Sequence, residues 1–324
     1  MGGFVDVQQK TAKRGTNGVG PPPTDPEPFR SAPAVLFPKM PKTAKKVRKN
    51  SSCDLKKARK SFILLCRNSF FERSERMQNM KITFLGTGHG VPSAIRACSS
   101  TLLEIGDAHY LIDGGAPVAE RLTALGVRFD SVRALFNTHF HSDHILGALQ
   151  FFALCNWYYK TSDLRIFLPE EAGMNAIKGL INTTGTPVDE SRLHFETFGA
   201  DFTYRDENLS LGVIPTRHMA EKNRPSYAFR IEAEGKRVMF TGDLTKDLSD
   251  LPEVLTKEDF DLLVIENAHC PTELLLEKLN TVRASRVAVN HVNKEAVKFP
   301  MLEAAVGHTP YELIVVKDWD ELTV

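Results

Sequence analysis

Four side chains that can bind a metal ion lie within six consecutive residues: His139, His141, Asp143 and His144. Neutral imidazoles suit zinc and related ions, and a carboxylate compensates the charge of a cation. The whole chain contains ten His, so three of them in one hexapeptide are not expected of an ordinary polar surface loop. The spacing therefore predicts a metal-binding loop.

The apolar segments around this loop predict how it is positioned. Val132–Phe136, before it, has the pattern of a buried strand, and the residues after Asp143 resemble the start of a helix. His218, Asp243 and His291 each follow or close a further strand-like segment. Taken singly, a strand-end His is usually structural, and a Gly-Asp pair is usually a turn. Because sheet-and-helix folds build sites at the carboxyl ends of strands, we expect these side chains to meet and to hold two ions.

Together these segments resemble the motifs of the metallo-β-lactamase superfamily, over about Met80 to Val324. Asp113, in Leu-Ile-Asp-Gly-Gly, resembles the first motif, whose Asp braces the metal loop. The resemblance implies an α/β fold, an αββα sandwich with two divalent ions at the rim of its sheets. It implies one ion bound by His139, His141 and His218, the other bound by Asp143, His144 and His291, and Asp243 bridging the two. Zinc is the expected metal, with manganese and iron as alternatives.

Two adjacent ions would supply hydrolytic chemistry. Cations about 3.5–4 Å apart lower the pKa of a bridging water and polarise the substrate, so hydroxide is available near neutral pH. Asp143 can orient this nucleophile. His269 is the candidate proton donor for the leaving group, with Glu266 keeping it partly protonated. From the residues alone an ordinary histidine at a helix start is an equal alternative, but the segment resembles the proton-shuttle region of the ribonuclease Z branch.

Two further segments resemble the ribonuclease Z branch. The Gly-rich stretch 84–90 resembles its opening strand and loop, and the stretch 225–230 resembles the strand that lines its cleft. Ser226 and Tyr227 are therefore candidate substrate contacts. The loop that handles the tRNA end reads Pro-x-Lys-x-Arg-Asn in that branch, and here it keeps the Pro and Arg96 but lacks the Lys and the Asn. Arg96 can contact a phosphate, and a solvated loop arginine is an equal alternative.

The substrate expectation follows from a second departure from that branch. The segment between His218 and Asp243 has room for a hairpin but not for the long arm with which ribonuclease Z grips tRNA. We therefore expect a small or cyclic phosphodiester, with tRNA 3′ endonuclease activity of the ribonuclease Z type as the nearest alternative. Thioester hydrolysis of the glyoxalase II type stays open within the same fold, although that branch lacks the Glu266 and His269 resemblance.

Charge is distributed unevenly along the chain. The whole chain has 41 basic and 40 acidic residues, but residues 1–76 hold 17 Lys/Arg against 6 Asp/Glu. The remainder is therefore acidic, which disfavours a polynucleotide and is compatible with a small anionic substrate once two cations are bound. Nucleic-acid binding through the basic segment, with the metal domain as a scaffold, is the non-enzymatic alternative.

The first part of the chain differs in composition from the rest. Residues 1–78 predict a disordered basic and proline-rich extension, followed by a hydrolase domain over residues 79–324. A natural start at Met77 or Met80 would leave the extension outside the protein. The apolar run 62–66 is too short for a secretory core or a membrane span, and five cysteines without metal-site spacing fit reduced thiols. We expect a cytoplasmic protein without membrane contact, and a homodimer is implied by the family resemblance.

Overall fold

The structure is a computed structural model that describes residues 79–91 and 93–324. The predicted extension, residues 1–78, lies outside the described residues, as does Pro92. The described part of the chain forms two seven-stranded sheets with helices on their outer faces. The predicted αββα sandwich is confirmed.

The strands are β1 (Met80–Gly86), β2 (Ser100–Ile105), β3 (Ala108–Ile112), β4 (Val132–Phe136), β5 (Leu164–Leu168), β6 (Leu193–Thr197), β7 (Thr203–Arg205), β8 (Ser210–Thr216), β9 (Ser226–Ala233), β10 (Lys236–Phe240), β11 (Leu262–Asn267), β12 (Arg286–Val292), β13 (Glu312–Val315) and β14 (Glu321–Thr323). The α-helices are α1 (Val118–Ala124), α2 (Ser142–Trp157), α3 (Glu171–Thr184), α4 (Thr272–Leu279) and α5 (Glu295–Ala305). Short 3₁₀ turns cover Phe129–Ser131, Ala220–Lys222 and Glu253–Thr256.

The order of the strands brings the ends of several parallel strands to one edge. The first sheet runs β14-β1-β2-β3-β4-β5-β6, and the second runs β13-β12-β11-β10-β9-β8-β7. Neighbouring strands are parallel from β3 to β6 in the first sheet and from β10 to β13 in the second. Parallel strands covered on both faces have nearly continuous apolar sequences, and all six residues of β11 are buried. The loops after these strands therefore share one rim of the sandwich.

Apolar side chains fill three layers. The layer between the sheets contains Phe136, Phe167 and Phe229, and the rings of Phe136 and Phe167 stack with centroids 5.0 Å apart. Helices α1, α2 and α3 cover the outer face of the first sheet, and α4 and α5 cover that of the second. Burial of each large side chain contributes about 1.5–3 kcal/mol, so these layers fix the rim that carries the polar residues.

Element boundaries differ from expectation at a few places. The strand-like pattern of residues 164–168 gives a strand with those bounds, whereas the helical pattern that starts at Ala116 gives a helix only from Val118, because a residue before proline is restricted to extended conformations. The aromatic-rich stretch 151–159 lies only partly in the core. Phe151 and Phe152 are buried, but Trp157 and Tyr158 are 57% and 65% exposed at the end of α2.

Among the described residues, the structure contains no helix with both the length and the apolarity needed to cross a membrane.

Candidate metal centre

The seven predicted metal ligands meet at one rim of the sandwich. His139 and His141 follow β4, Asp143 and His144 lie in the first turn of α2, His218 follows β8, Asp243 follows β10, and His291 lies near the end of β12. They form two groups, and within each group the candidate ligand atoms lie within 4.8 Å of one another. One group consists of His139, His141, His218 and Asp243, and the other of Asp143, His144 and His291.

The first group contains three imidazoles whose nitrogens converge. Nδ1 of His141 lies 3.0 Å from Nε2 of His139 and 3.1 Å from Nε2 of His218. The Oδ2 atom of Asp243 lies 3.6 Å from both of those Nε2 atoms. A tetrahedral zinc ion with bonds of about 2.0–2.1 Å separates its ligand atoms by about 3.3 Å, so the spacing of this group suits such an ion.

The second group faces the same carboxylate from the other side. Oδ2 of Asp143 lies 3.6 Å from Nε2 of His144 and 3.6 Å from Nε2 of His291. Asp243 lies 3.5 Å from His144 through Oδ1 and 3.4 Å from His291 through Oδ2. Nε2 of His144 is buried and has no hydrogen-bond partner among the described residues, which is the arrangement expected of an atom that binds a metal. Asp243 contacts both groups, so its position suits a bridging ligand.

The orientation of these imidazoles is set by hydrogen bonds from their other nitrogens. Nδ1 of His144 donates to Asp113 over 2.7 Å, and Nδ1 of His291 donates to the carbonyl oxygen of Gly88 over 2.9 Å. Asp113 also accepts hydrogen bonds from the Asn137 side chain and from the backbone and hydroxyl of Thr138. Such partners fix the tautomer and the ring orientation of a metal ligand. Asp113 thus lies where the first motif of the superfamily would place its bracing carboxylate.

Glycines let the Asp113 loop and α2 approach closely. A Cβ atom on Gly115 would lie 2.2 Å from the carbonyl oxygen of Asp143, and one on Gly147 would lie 2.4 Å from the carbonyl oxygen of Gly115. The N–H of Gly114 donates to the carbonyl of His144 over 2.7 Å. The first turn of α2 is therefore held directly against the loop that braces it.

Burial and neighbouring charges shift the pKa values of the imidazoles in different directions. Burial lowers the pKa of His139 and His218, and burial with the charges of His218 and Lys222 lowers that of His141 to about 4. Burial alone would also lower the pKa of His144, but the carboxylates of Asp243 and Asp113 outweigh it and raise that pKa. Metal ligands bind in the deprotonated form, which for histidine is the neutral imidazole. The imidazoles of the first group are therefore already in the required state, whereas His144 must release a proton.

His269 and Glu266 lie beside the cluster. Nδ1 of His269 is 3.1 Å from Oε1 of Glu266 and 3.7 Å from Oδ2 of Asp243. Burial alone would lower the pKa of His269, but its hydrogen bond to Glu266 and the charges of Asp243 and Glu266 outweigh burial, so the pKa is raised. The His269 side chain is 30% exposed, and a partly protonated imidazole with access to solvent can donate a proton to a leaving group.

The three side chains predicted to contact the substrate are buried, and each has contacts within the protein. Arg96 donates to the carbonyl oxygens of Thr87 and Val316. The Ser226 hydroxyl accepts a hydrogen bond from Thr216 over 2.8 Å. The Tyr227 ring packs against Phe198 in the core, with centroids 5.0 Å apart. A substrate would have to displace these contacts, so each of the three side chains has a structural position.

Some residues at the site were not predicted. Nζ of Lys222 lies 3.1 Å from Nε2 of His141, and Phe140, between two predicted ligands, lies under the Arg224 guanidinium and against Gly173. Lys222 comes only four residues after His218, which is a weak signal because lysine is common in loops. Phe140 has no sequence signal, since its neighbours come from distant segments.

Comparison with known families identifies the chain. A family model described as "Anti-Pycsar protein Apyc1" matches residues 80–304, which is more than half of the chain. The chain belongs to this family. The match spans all seven candidate ligands, from His139 to His291, and it also includes Glu266 and His269.

Relatives outside the Apyc1 family place it in the metallo-β-lactamase superfamily, on the ribonuclease Z-like side, which confirms the resemblance seen in the sequence. A ribonuclease Z from Mycobacterium bovis (strain BCG / Pasteur 1173P2) is 32% identical over 182 residues. That alignment covers 51% of this chain and 62% of the mycobacterial protein, so the chain spans less than two thirds of the curated relative.

Solved structures support the fold of this Apyc1-family chain. The metallo-β-lactamase fold protein YhfI from Bacillus subtilis is 18% identical, with a TM-score of 0.61, and the match covers 76% of this chain and 100% of that one. The short form of human tRNase Z is also 18% identical, with a TM-score of 0.57. That match covers 75% of this chain and 98% of the human protein. At this identity the likeness concerns the fold alone.

Proposed function

We propose that the protein is a hydrolase that uses two divalent metal ions to cleave a small or cyclic phosphodiester. The observation that carries this proposal is the pair of ligand groups that share Asp243, with His269 3.7 Å from that carboxylate. Two groups of metal ligands beside a candidate proton donor are what a hydrolase needs, whereas a binding protein would not need the proton donor. The relatives named ribonuclease Z support a hydrolytic reaction.

Each group of side chains has a separate task in this proposal. Two ions held by the ligand groups would activate a water and polarise the phosphoryl oxygen of the substrate. Asp143, at the entrance to the second group, orients the attacking water by accepting a hydrogen bond from it. His269 donates its proton to the leaving oxygen as the bond from phosphorus to that oxygen breaks, and Glu266 holds the imidazole in place.

The cavities beside the centre favour a compact anionic substrate. One, of about 620 Å³, is lined by His141, His218 and His269 and by three cations, Arg217, Lys222 and Lys246, against two carboxylates, Glu221 and Asp247. A second, of about 640 Å³, shares His269 and Lys246 with the first. Both volumes lie in the range of small-molecule sites. The chain between His218 and Asp243 forms the hairpin β9–β10, without the long arm of ribonuclease Z.

The donor set favours zinc as the metal, because imidazoles dominate both groups, while manganese and iron are alternatives for the same mixture of nitrogen and oxygen ligands. The ligand types do not separate these three metals. Reconstitution with each metal in turn is therefore part of the test.

Hydrolysis assays on the full chain test the proposal. The protein, loaded separately with zinc or manganese, is given bis(p-nitrophenyl) phosphate and a 3′,5′-cyclic mononucleotide, with Asp243→Ala as the inactive control. We expect metal-dependent turnover of both diesters, and its loss in the control. Absence of turnover with two ions bound would contradict the proposal and favour hydrolysis of a thioester or another acyl substrate.

A ribonuclease Z-like activity on tRNA precursors is the second candidate, because the relative with 32% identity carries that name. Cleavage of a precursor tRNA at its 3′ end, at a kcat/KM above that for the small diesters, would favour this candidate. Deletion of residues 1–76 separates both enzymatic proposals from a binding protein that acts through its basic segment, because an enzyme would keep its turnover.

A further inference from the structure

Lys298 is a buried cation that faces the loop carrying His269. It lies on α5, only 8% of its surface is exposed, and its Nζ atom is within hydrogen-bond distance of three carbonyl oxygens. These belong to Asn267, Ala268 (3.3 Å) and Cys270 (2.9 Å). An ammonium group has three donors, so this one side chain can bind the carbonyls on both sides of His269 with its full donor capacity.

The same loop has its N–H groups bound from the opposite side. Oε2 of Glu266 accepts hydrogen bonds from the N–H groups of Ala268 and His269. The Asn267 side chain donates to the carbonyl of Cys270 over 3.2 Å. Glu266 therefore holds the amides and Lys298 holds the carbonyls. The His269 imidazole projects from a backbone that is fixed on both sides.

Helix α5, which carries Lys298, is itself held in place by Arg96. The Arg96 guanidinium lies 3.8 Å from Glu295 and 4.5 Å from the centre of the Phe299 ring, both on α5. Its other contacts are the carbonyl oxygens of Thr87 and Val316. Arg96 thus connects α5 to the two sheets, and α5 brings Lys298 to the loop.

Burial of a lone ammonium is costly unless it is compensated by hydrogen bonds or opposite charge. Burial lowers the pKa of Lys298, but three carbonyls accept its protons and the negative charge of Glu266 opposes the shift. An apolar residue could fill this position without that cost. The cation therefore contributes more than packing, and what it contacts is the backbone of the proton-donor loop.

We infer that Lys298 is a positioning residue that holds His269 where it can protonate the leaving group. This inference rests on the proposed function. In that reaction the water oxygen bonds to phosphorus, the bond to the leaving oxygen breaks, and the proton of His269 passes to that oxygen. Displacement of the loop impairs the proton transfer and leaves metal binding intact, since none of the seven ligands lies in the loop.

The test compares leaving groups in the Lys298→Met variant, which keeps the length of the side chain and removes the ammonium. A p-nitrophenolate leaves without a proton, whereas an alkoxide needs one. For a 3′,5′-cyclic mononucleotide, whose leaving oxygen is an alkoxide that needs a proton, we expect kcat to fall by about 10²-fold, the lower end of general acid catalysis, with KM unchanged. For bis(p-nitrophenyl) phosphate we expect kcat to stay close to that of the wild type. His269→Ala should show the same pattern.

Controls separate positioning from a general loss of structure. Lys257→Met, at an exposed lysine that pairs with Glu253, should leave both substrates unaffected. Metal content should equal that of the wild type, and the N–H groups of Ala268 and His269 should exchange faster with solvent in Lys298→Met. If Lys298→Met does not fold, Lys298→Gln is used, which keeps one donor group and should show a smaller loss of the same kind.

Equal losses on both substrates, or no loss on either, would overturn the inference. Unchanged amide exchange at 268 and 269 would also overturn it, and that measurement needs no activity. If the wild type itself turns over neither diester with two ions bound, the proposed function fails. The exchange measurement then decides by itself whether Lys298 fixes the loop.

Discussion

At the scale of single residues, Asp243 and Asp113 contribute to the candidate metal centre in different ways. Asp243 contacts imidazoles of both ligand groups, whereas Asp113 contacts one imidazole and holds it through a network of donors. The pKa of Asp243 is lowered because the charges of His291 and His144 outweigh the effect of burial. One carboxylate can therefore act as a ligand and the other as the group that orients a ligand.

The role of Asp113 predicts an effect on metal affinity. Asp113→Asn replaces one carboxylate oxygen with a donor that faces other donors, so His144 loses its acceptor or its orientation. We expect metal affinity to fall by about 10–100-fold, as for other groups that orient a metal ligand. Competition with a chromogenic chelator measures it. Asp107→Asn, in the exposed turn between β2 and β3, should have no effect, and equal affinities for both variants would contradict the assignment.

At the scale of elements, α3 holds the metal loop through Phe140. A Cβ atom on Gly173 would lie 2.3–2.5 Å from atoms of the Phe140 ring, whereas one on Gly179, in the same helix, would meet nothing within 4 Å. Phe140 lies between His139 and His141 in the chain. A shift of α3 would therefore move the loop that carries these two candidate ligands.

These two glycines form a matched pair for a second prediction. Gly179→Ala should raise the free energy of unfolding by about 0.5–1 kcal/mol, because alanine favours helix over glycine. Gly173→Ala should lose that gain and weaken metal binding, because Phe140 must move. Urea unfolding and chelator competition measure the two effects. A gain in stability at both positions with unchanged metal affinity would show that the contact with Phe140 is not needed.

Asp206 joins the two sheets away from the metal rim. It accepts hydrogen bonds from the hydroxyls of Tyr110 on β3 (2.6 Å) and Tyr204 on β7 (2.8 Å) and from the backbone of Asn208 and Leu209. Burial would raise the pKa of Asp206, but these hydrogen bonds outweigh it and lower the pKa. A lowered pKa in the folded state stabilises the protein above the unfolded-state pKa of about 3.9, and the contribution is lost as the pH falls through the folded-state pKa.

The third prediction follows from the lowered pKa of Asp206. Asp206→Asn should lower the free energy of unfolding by about 1–3 kcal/mol at pH 7, because two buried hydroxyls lose a charged acceptor. The difference from the wild type should shrink as the pH falls from about 3.9, the unfolded-state pKa, through the lowered folded-state pKa of Asp206, where the folded carboxyl becomes protonated. Glu207→Gln, at an exposed neighbour that pairs with Arg133, is the control. A difference that does not change with pH would contradict the account.

At the scale of the whole molecule, metal ions would connect the two sheets. His139 to His144 follow the first sheet, and His218, Asp243 and His291 come from the second. Ligands that bind only the folded state stabilise it by mass action, by about 2.7 kcal/mol at a free concentration 100 times the dissociation constant.

Removal of metal therefore supplies a fourth prediction. Dialysis against EDTA should lower the melting temperature of the loaded protein, and added zinc should restore it, because the sheets lose a shared set of ligands. Asp243→Ala loses the shared ligand but keeps three ligands for each ion, so zinc should raise its melting temperature by less than that of the wild type. Equal melting temperatures for the loaded and chelated wild type would argue against ions that bridge the sheets.

Sequence reasoning identified the ligands because chemical type and spacing are local properties. The His139 loop, the Asp243 turn and the strand-like segments before them are each visible in a short window. The contacts of Arg96 are not visible in the sequence, because its partners, Val316 and Glu295, are some two hundred residues away in the chain. Lys298 was overlooked for the same reason, since a lysine on a helix is usually solvated and only the fold brings it to three carbonyls.

Anomalous scattering from crystals of the zinc-loaded protein tests the two-metal centre most directly. The account predicts two anomalous peaks at the zinc absorption edge. One should lie among His139, His141 and His218, the other among Asp143, His144 and His291, with Asp243 between them. A single peak, or none at these residues, would contradict the claim that both ligand groups bind metal.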